Sequence, residues 1–178
     1  MKEETNQLRM TAYASLMAAL TAVGAYIAIP IGPVPIVLQN LFVFLAGLLL
    51  GRKWGTIAIA TYLLAGVCGL PVFASGKGGI GHLIGPTGGY LIGYLPAVFF
   101  IGALAEKGRG RPFFDLTGML IGTVAIYGLG VLWLKLVTHM SFSKAFALGM
   151  YPFLLGDAIK IAVAIPLARK LRPMVAKN

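Results

Sequence analysis

The 178-residue sequence contains few acidic residues and almost no cysteine. Five Asp and Glu stand against 15 Lys and Arg, and charged residues make up only 11% of the chain. About 25% is usual for soluble domains, so the chain has too little charged surface to cover a globule in water. Its one cysteine, Cys68, excludes a disulfide framework and a thiolate metal site.

Catalytic and nucleotide-binding motifs are also missing. The stretch SGKGG places Gly78 after Lys77, where a phosphate-binding loop requires Ser or Thr. No H-E-x-x-H or G-x-S-x-G motif occurs. His82 and His139 each lack a second ligand at a metal-binding spacing, which favours hydrogen-bonding roles. We therefore expect no enzyme activity, no ATPase motif, no cofactor and no metal.

Long apolar segments dominate the sequence instead. Hydrophobic residues make up 58% of the chain, and its mean hydropathy is +0.88. A membrane-spanning helix requires about 20 apolar residues. Six segments are predicted to span: 10–29, 36–50, 54–67, 89–104, 116–137 and 145–168. The second and third are short, which indicates shielding by protein or by re-entrant loops. The prediction is an all-α membrane protein, a single integral membrane domain over residues 1–178.

The basic residues fall mostly on one side of this arrangement. The termini and the second and fourth connections carry Lys2, Arg9, Arg52, Lys53, Lys107, Arg109, Arg111, Arg169, Lys170, Arg172 and Lys177. The opposite side has Lys77, Lys135 and Lys144. The positive-inside rule then predicts cytoplasmic N- and C-termini and an outer, glycine-rich loop between helices 3 and 4. Basic residues spread over the ends of apolar runs exclude a nucleic-acid-binding face.

Two outer connections have the composition of a pocket cover. The stretch ASGKGGIGHLIGPTGGY, residues 74–90, contains seven glycines, which allow close backbone approach to a ligand. A flexible linker is the alternative, but Pro86 and Tyr90 stiffen this stretch. The first connection, IPIGPVPIVLQN, is rigid and uncharged, and it ends in the two amides Gln39 and Asn40.

Two charged residues interrupt the sixth span. Asp157 and Lys160 are three residues apart, so they share a helix face. Each charge costs about 2.5–3.5 kcal/mol near the bilayer centre. A neutralised pair that joins helices is one interpretation. The other, which we favour, is a polar floor for a small ligand with N–H, C=O or carboxylate groups.

A row of small residues marks the first span. Ala14, Ala18 and Ala22 repeat at every fourth position, a spacing that lets helices approach closely in lipid. The row predicts either packing inside the chain or contact with a separate membrane subunit.

Four motifs together resemble one family. They are IPIGPVPIVLQNLFVFLAGLLLG, YLLAGVCGLPVFASGKGG, GPTGGYLIGY and GDAIKIAVA, and they occur in family order between residues 14 and 171. The sequence resembles the BioY family, the biotin-binding S components of energy-coupling factor (ECF) transporters. The resemblance implies a six-helix membrane fold in a prokaryotic cell membrane that captures biotin from outside.

The resemblance also implies binding residues and partners. Biotin contacts are expected from Asp157, Lys160, Gln39, Phe73, Lys77, Gly79, Gly85 and Tyr90. A transmembrane coupling subunit and two cytosolic ATPases are the expected partners, and the resemblance favours contact of the Ala14, Ala18 and Ala22 row with the coupling subunit. An S component for another vitamin, such as thiamine, and a small channel-like protein are the alternatives.

Overall fold

The computed structural model describes residues 2–30 and 32–176, and helices account for most of them. The elements in chain order are α1 (Lys2–Tyr26), β1 (Ala28–Ile29), β2 (Ile36–Val37), α2 (Gln39–Val67), a 3₁₀ turn (Ala74–Gly76), α3 (Ile80–Ile84), α4 (Gly88–Gly108), α5 (Pro112–Thr138), α6 (Phe142–Gly149) and α7 (Tyr151–Ala176). Five helical stretches among the described residues are long and apolar enough to cross a membrane, and α6 and α7 together form one of them. The prediction of a helical membrane protein is confirmed.

The helix α2 reverses direction at Gly51. This residue has φ 72° and ψ −174°, a conformation that glycine tolerates far better than any other residue. A Cβ on Gly55 would lie 2.9 Å from the carbonyl oxygen of Ala46, whereas residues nine apart in a straight helix are separated by about 13.5 Å. Gln39 and Tyr62, near opposite ends of α2, are joined by a 2.9 Å hydrogen bond. The two halves of α2 therefore lie side by side.

Charged side chains tie the helix ends together at the end of the bundle that carries Gly51. The Arg52 backbone N–H donates to Glu106 of α4 over 2.9 Å. Arg172 of α7 forms a two-pronged ion pair with the fully buried Asp115 of α5, at 2.7 and 2.8 Å. The Nε of Arg172 also donates to the Leu48 carbonyl. Because the basic residues cluster here, we call this the basic end.

The opposite end is built from the connections. The strands β1 and β2 pair as a short antiparallel hairpin between α1 and α2. The Tyr26 hydroxyl at the end of α1 donates to the Pro71 carbonyl in the glycine-rich connection. Trp133 Nε1 of α5 donates to the Gly85 carbonyl over 3.0 Å. The two outer connections thus meet over the same end of the bundle.

Three predicted spans need correction, and the glycine-rich connection is more regular than a loop. The segment 10–29 runs past the end of α1 at Tyr26 and includes strand β1. The segment 36–50 begins with strand β2, and its helix starts at Gln39. The segment 145–168 is interrupted at Met150, whose φ of −132° ends α6, so that α7 begins at Tyr151. The glycine-rich connection is partly helical, in the 3₁₀ turn and α3.

Candidate binding site

A cavity opens between the helices at the end formed by the connections. It encloses about 540 Å³, counting its mouth. Its lining comprises Val34, Pro35, Val37, Gln39, Asn40, Ala74, His82, Thr87, Tyr90, Leu91, Tyr94, Ile126, Tyr127, Phe153 and Lys160. Apolar side chains form most of this wall, and the polar groups are few.

The carboxylate of Asp157 lies behind this lining and is fully engaged by protein donors. Lys160 Nζ contacts one oxygen at 2.8 Å, and the Tyr127 hydroxyl donates to the other at 2.5 Å. The Asn40 amide approaches both oxygens, at 3.3 and 3.5 Å. Asp157 is only 3% exposed. Because one carboxylate holds three lining side chains, its first role is to orient them.

The side chains that Asp157 holds keep hydrogen-bonding capacity for a ligand. An ammonium group has three N–H donors, and Lys160 uses one of them on Asp157. The Asn40 carbonyl oxygen accepts from the Tyr94 hydroxyl at 2.7 Å and retains a second lone pair. Gln39 donates to Tyr62 through Nε2, which leaves its carbonyl oxygen as an acceptor. The floor therefore offers donors at Lys160 and acceptors at the amides.

The cover of the cavity is anchored by a buried aromatic ring. Phe73 lies in the connection after α2, yet it is 0% exposed. Its ring packs edge-on against Tyr62, with centroids 5.7 Å apart, and stacks on His82 at 5.2 Å. A Cβ on Gly66 would overlap this ring, so the absence of a side chain at Gly66 creates the space for it. Backbone hydrogen bonds from Gly69 and Gly79 to the Gly66 carbonyl close the connection over α2.

His82 sits in α3, within this cover. Its Nε2 lies 3.2 Å from the Thr87 hydroxyl. Burial lowers the pKa of His82, and the positive charge of Lys77 lowers that pKa further. The closed cover therefore favours the neutral imidazole, and the charge of Lys77 reaches the mouth of the cavity.

The predicted contact residues occupy different layers of the site. Gln39, Tyr90 and Lys160 line the cavity. Asp157 and Phe73 lie behind that lining, and the Gly85 carbonyl accepts from Trp133. Lys77 and Gly79 belong to the cover, and Gly79 has φ 88°. Direct contact of these eight residues with a ligand stays a prediction.

The alanine row packs inside the chain in this structure. Ala14 and Ala18 are 4% and 8% exposed, and Ala22 is partly buried. The adjoining exposed side of α1 carries Ser15, Leu16 and Ala19. Contact of Ala14, Ala18 and Ala22 with a coupling subunit stays a prediction.

Sequence reasoning predicted Tyr90 but missed the two other hydrogen-bonding tyrosines of the floor, Tyr94 and Tyr127. Tyr90 and Tyr94 are four residues apart and share a face of α4, while Tyr127 approaches from α5. The Tyr90 hydroxyl donates to the Gly149 carbonyl, and its ring meets that of Tyr127 edge-on. A phenolic hydroxyl that is buried in an apolar helix usually has a hydrogen-bond partner, and that requirement is the signal that could have found Tyr94 and Tyr127.

Comparisons with known proteins agree on one family. A family model described as "BioY family" matches residues 1–177. "Biotin transporter BioY" of Thermotoga maritima is 46% identical over 167 residues, covering 94% of this chain and 98% of that protein. "Probable biotin transporter BioY" of Pyrococcus horikoshii is 46% identical over 158 residues, covering 89% of this chain and 93% of that protein.

A solved structure is similar over nearly the whole chain. It is described as the crystal structure, at 2.1 Å, of the S-component for biotin from an ECF-type ABC transporter. Its TM-score is 0.89 at 32% sequence identity, and the match covers 95% of this chain and 93% of that chain.

Proposed function

Because this chain belongs to the BioY family, we propose that it binds biotin in the cavity between its helices, as the S component of an ECF-type transporter. The observation that carries this proposal is the floor of the cavity. There the Asp157–Lys160 ion pair leaves N–H donors of Lys160 free, beside the amide oxygens of Gln39 and Asn40. Biotin combines an apolar bicycle and chain with a ureido group and a carboxylate. A mostly apolar cavity with few polar anchors suits such a ligand.

The ureido group is the end that we place at the floor. It has one carbonyl acceptor and two N–H donors, which complement the free N–H groups of Lys160 and the amide oxygens of Gln39 and Asn40. The floor has no net charge, because Asp157 neutralises Lys160 at 2.8 Å. A second carboxylate there would be repelled by Asp157, so the biotin carboxylate is disfavoured at this position.

The carboxylate of biotin is then left at the mouth. Lys77 is exposed in the cover, and its charge acts on His82 of the cavity lining. A cationic side chain at the solvent-facing rim attracts a carboxylate without the desolvation cost of a buried charge. The valeryl chain crosses the apolar middle, past Leu91, Ile126 and Phe153.

The proposed setting is a prokaryotic cell membrane with both termini in the cytoplasm. The reversal at Gly51 turns the five apolar stretches into six crossings, since each half of α2 runs between the two ends of the bundle. An even number of crossings puts both termini on the same side of the membrane. The positive-inside rule then places the basic end in the cytoplasm, so that the cavity faces outward. A transmembrane coupling subunit and two cytosolic ATPases are the proposed partners, and this chain supplies binding without chemistry.

Calorimetric titration of the detergent-purified protein tests the assignment. Biotin should bind at roughly one-to-one stoichiometry, while thiamine and riboflavin should not bind.

Biotin analogues test the orientation. An amide at the carboxyl end should retain most of the affinity, whereas 2-iminobiotin, whose guanidinium replaces the ureido group, should lose it because its cation meets Lys160. Strong binding of thiamine would reject biotin specificity, and loss with the amide alone would reverse the orientation.

A further inference from the structure

The side chain of Tyr90 reaches from α4 to α6 and forms part of the cavity wall. Its ring lines the cavity, and its hydroxyl donates to the Gly149 carbonyl at the end of α6 over 2.8 Å. The residue is 7% exposed, so protein encloses nearly all of this large side chain. The position of the Tyr90 ring therefore fixes one side of the space that a ligand can occupy.

Two buried glycines provide the space that this side chain occupies. A Cβ at Gly130 of α5 would overlap Cδ1 and Cε1 of the Tyr90 ring. A Cβ at Gly149 would overlap the Tyr90 hydroxyl and would lie 2.8 Å from Cδ2 of the buried Leu134. We call the space that these two glycines leave the tyrosine slot. Neither glycine belongs to the cavity lining, so the tyrosine slot acts on the cavity through Tyr90.

A ring displaced from the tyrosine slot would enter the cavity. Carbon atoms in contact are usually about 3.5–4.0 Å apart, so Gly130→Ala would require the Tyr90 ring to move by about 1 Å. The Tyr127 ring meets it edge-on, with centroids 6.4 Å apart, and the hydroxyl is held at Gly149. The free volume beside the ring is the cavity that it lines. Displacement would therefore narrow the cavity at the level of Tyr90.

Tyr90 lies closer to the mouth of the cavity than the floor does. The helix α4 begins at Gly88, at the end of the bundle that is formed by the connections. Tyr94 follows one turn later, about 6 Å deeper along the helix, and its hydroxyl donates to the floor amide of Asn40. With the ureido ring of biotin at the floor, the fused sulfur-containing ring reaches the level of Tyr90. The tyrosine slot therefore controls the room for this second ring.

We propose that Gly130 and Gly149 are positioning residues that set the width of the cavity, and that this width selects a ligand with two fused rings. The inference rests on the proposed function, because it starts from the ureido group at the floor. The two glycines need not touch the ligand, since they act by holding the Tyr90 ring away from it. Narrowing the cavity should then affect a bicyclic ligand more than a ligand with one ring.

Calorimetric titration with biotin and with desthiobiotin tests this inference on the full-length, detergent-purified protein. Desthiobiotin keeps the ureido ring and the carboxylate chain but lacks the sulfur-containing ring. Gly130→Ala should weaken biotin binding by about tenfold or more, and desthiobiotin binding by about threefold at most, so the ratio of the two Kd values changes. Gly149→Ala should change the ratio in the same direction.

Gly122→Ala is the matched control. It makes the same substitution in α5, beside another buried side chain of α4, because a Cβ at Gly122 would lie 2.8 Å from Cδ1 of Ile101. Ile101 does not line the cavity. Gly122→Ala should therefore leave the affinities for both ligands unchanged, even where it lowers the unfolding temperature.

A second background tests whether the effect passes through Tyr90. The Tyr90→Leu variant lacks the ring, so adding Gly130→Ala to it should change biotin affinity by less than about twofold, a non-additivity typical of residues in contact. Tyr90→Leu alone should bring the two affinities closer together, because the wall beside the second ring is lost. This readout does not depend on the folding of Gly130→Ala.

Three results would overturn the inference. They are equal losses for the two ligands in Gly130→Ala, an equally large loss of biotin binding when Gly130→Ala is added to Tyr90→Leu, and an unchanged ratio of Kd values in Tyr90→Leu. A wild-type protein that binds neither ligand would instead refute the proposed function itself.

Discussion

Variants of the Asp157–Lys160 ion pair should change the stability of the protein and its affinity for biotin by different amounts. In the Asp157→Asn variant, Lys160 loses its partner while its side chain stays 10% exposed. Removing one member of a buried pair costs about 3–5 kcal/mol, because the remaining charge is left without compensation. The Lys160→Met variant should be milder, because the Asp157 carboxylate keeps its donors Tyr127 and Asn40.

The double variant Asp157→Asn/Lys160→Met removes both charges and should recover most of the stability lost in Asp157→Asn. It should not recover biotin binding. A hydrogen bond to a charged group contributes about 1.5–3 kcal/mol, so loss of the Lys160 ammonium should weaken biotin binding by about 10- to 150-fold. Thermal unfolding in detergent measures the first effect, and calorimetric titration measures the second.

Asp115→Asn is the matched control. It makes the same substitution in another buried ion pair, at the basic end of the bundle. It should lower the unfolding temperature but leave biotin affinity unchanged. The reasoning is refuted if the double variant is no more stable than Asp157→Asn, or if Lys160→Met binds biotin as wild type does.

Three further predictions concern the cover and the basic end. Gly66→Ala should weaken biotin binding at least tenfold by expelling Phe73 from its place on α2; unchanged calorimetric affinity would contradict this. Arg172→Ala should cost about 3–5 kcal/mol by leaving Asp115 buried and unpaired, and Asp115→Asn/Arg172→Met should restore the unfolding temperature. The closed cover disfavours protonated His82, so biotin affinity should fall as pH drops below about 6.5, and His82→Gln should flatten that profile.

The sequence predicted the helical membrane class because a long apolar run has few alternatives to a helix in lipid. The predicted segments 89–104 and 116–137 lie within α4 and α5. The break between 36–50 and 54–67 was placed by Arg52 and Lys53, but the reversal itself depends on the φ of Gly51 and on its packing against Gly102 of α4. Such packing between distant residues is not encoded in a local pattern.

The candidate site was predicted unevenly for a related reason. Asp157 and Lys160 were identified because two charges in an apolar helix are rare. Their different positions, one behind the lining and one in it, depend on Tyr127 and Asn40, which come from other helices. Tyr90 was predicted, but Tyr94 and Tyr127 were not, because an aromatic residue in an apolar segment has the same pattern whether or not its hydroxyl has a partner.

The packing of Phe73 against α2 should slow the opening of the cover. The fully buried Phe73 side chain must leave its packed position before the cover can open, and exposing such a ring to water costs about 1.5–3 kcal/mol. Opening would then occur about 10- to 150-fold less often than for an unanchored loop. The residence time of a captured molecule is therefore set partly by an aromatic ring that the molecule need not touch. Substitutions at Phe73 should raise the dissociation rate strongly and the association rate to a smaller extent, whereas substitutions at the floor should act on dissociation alone.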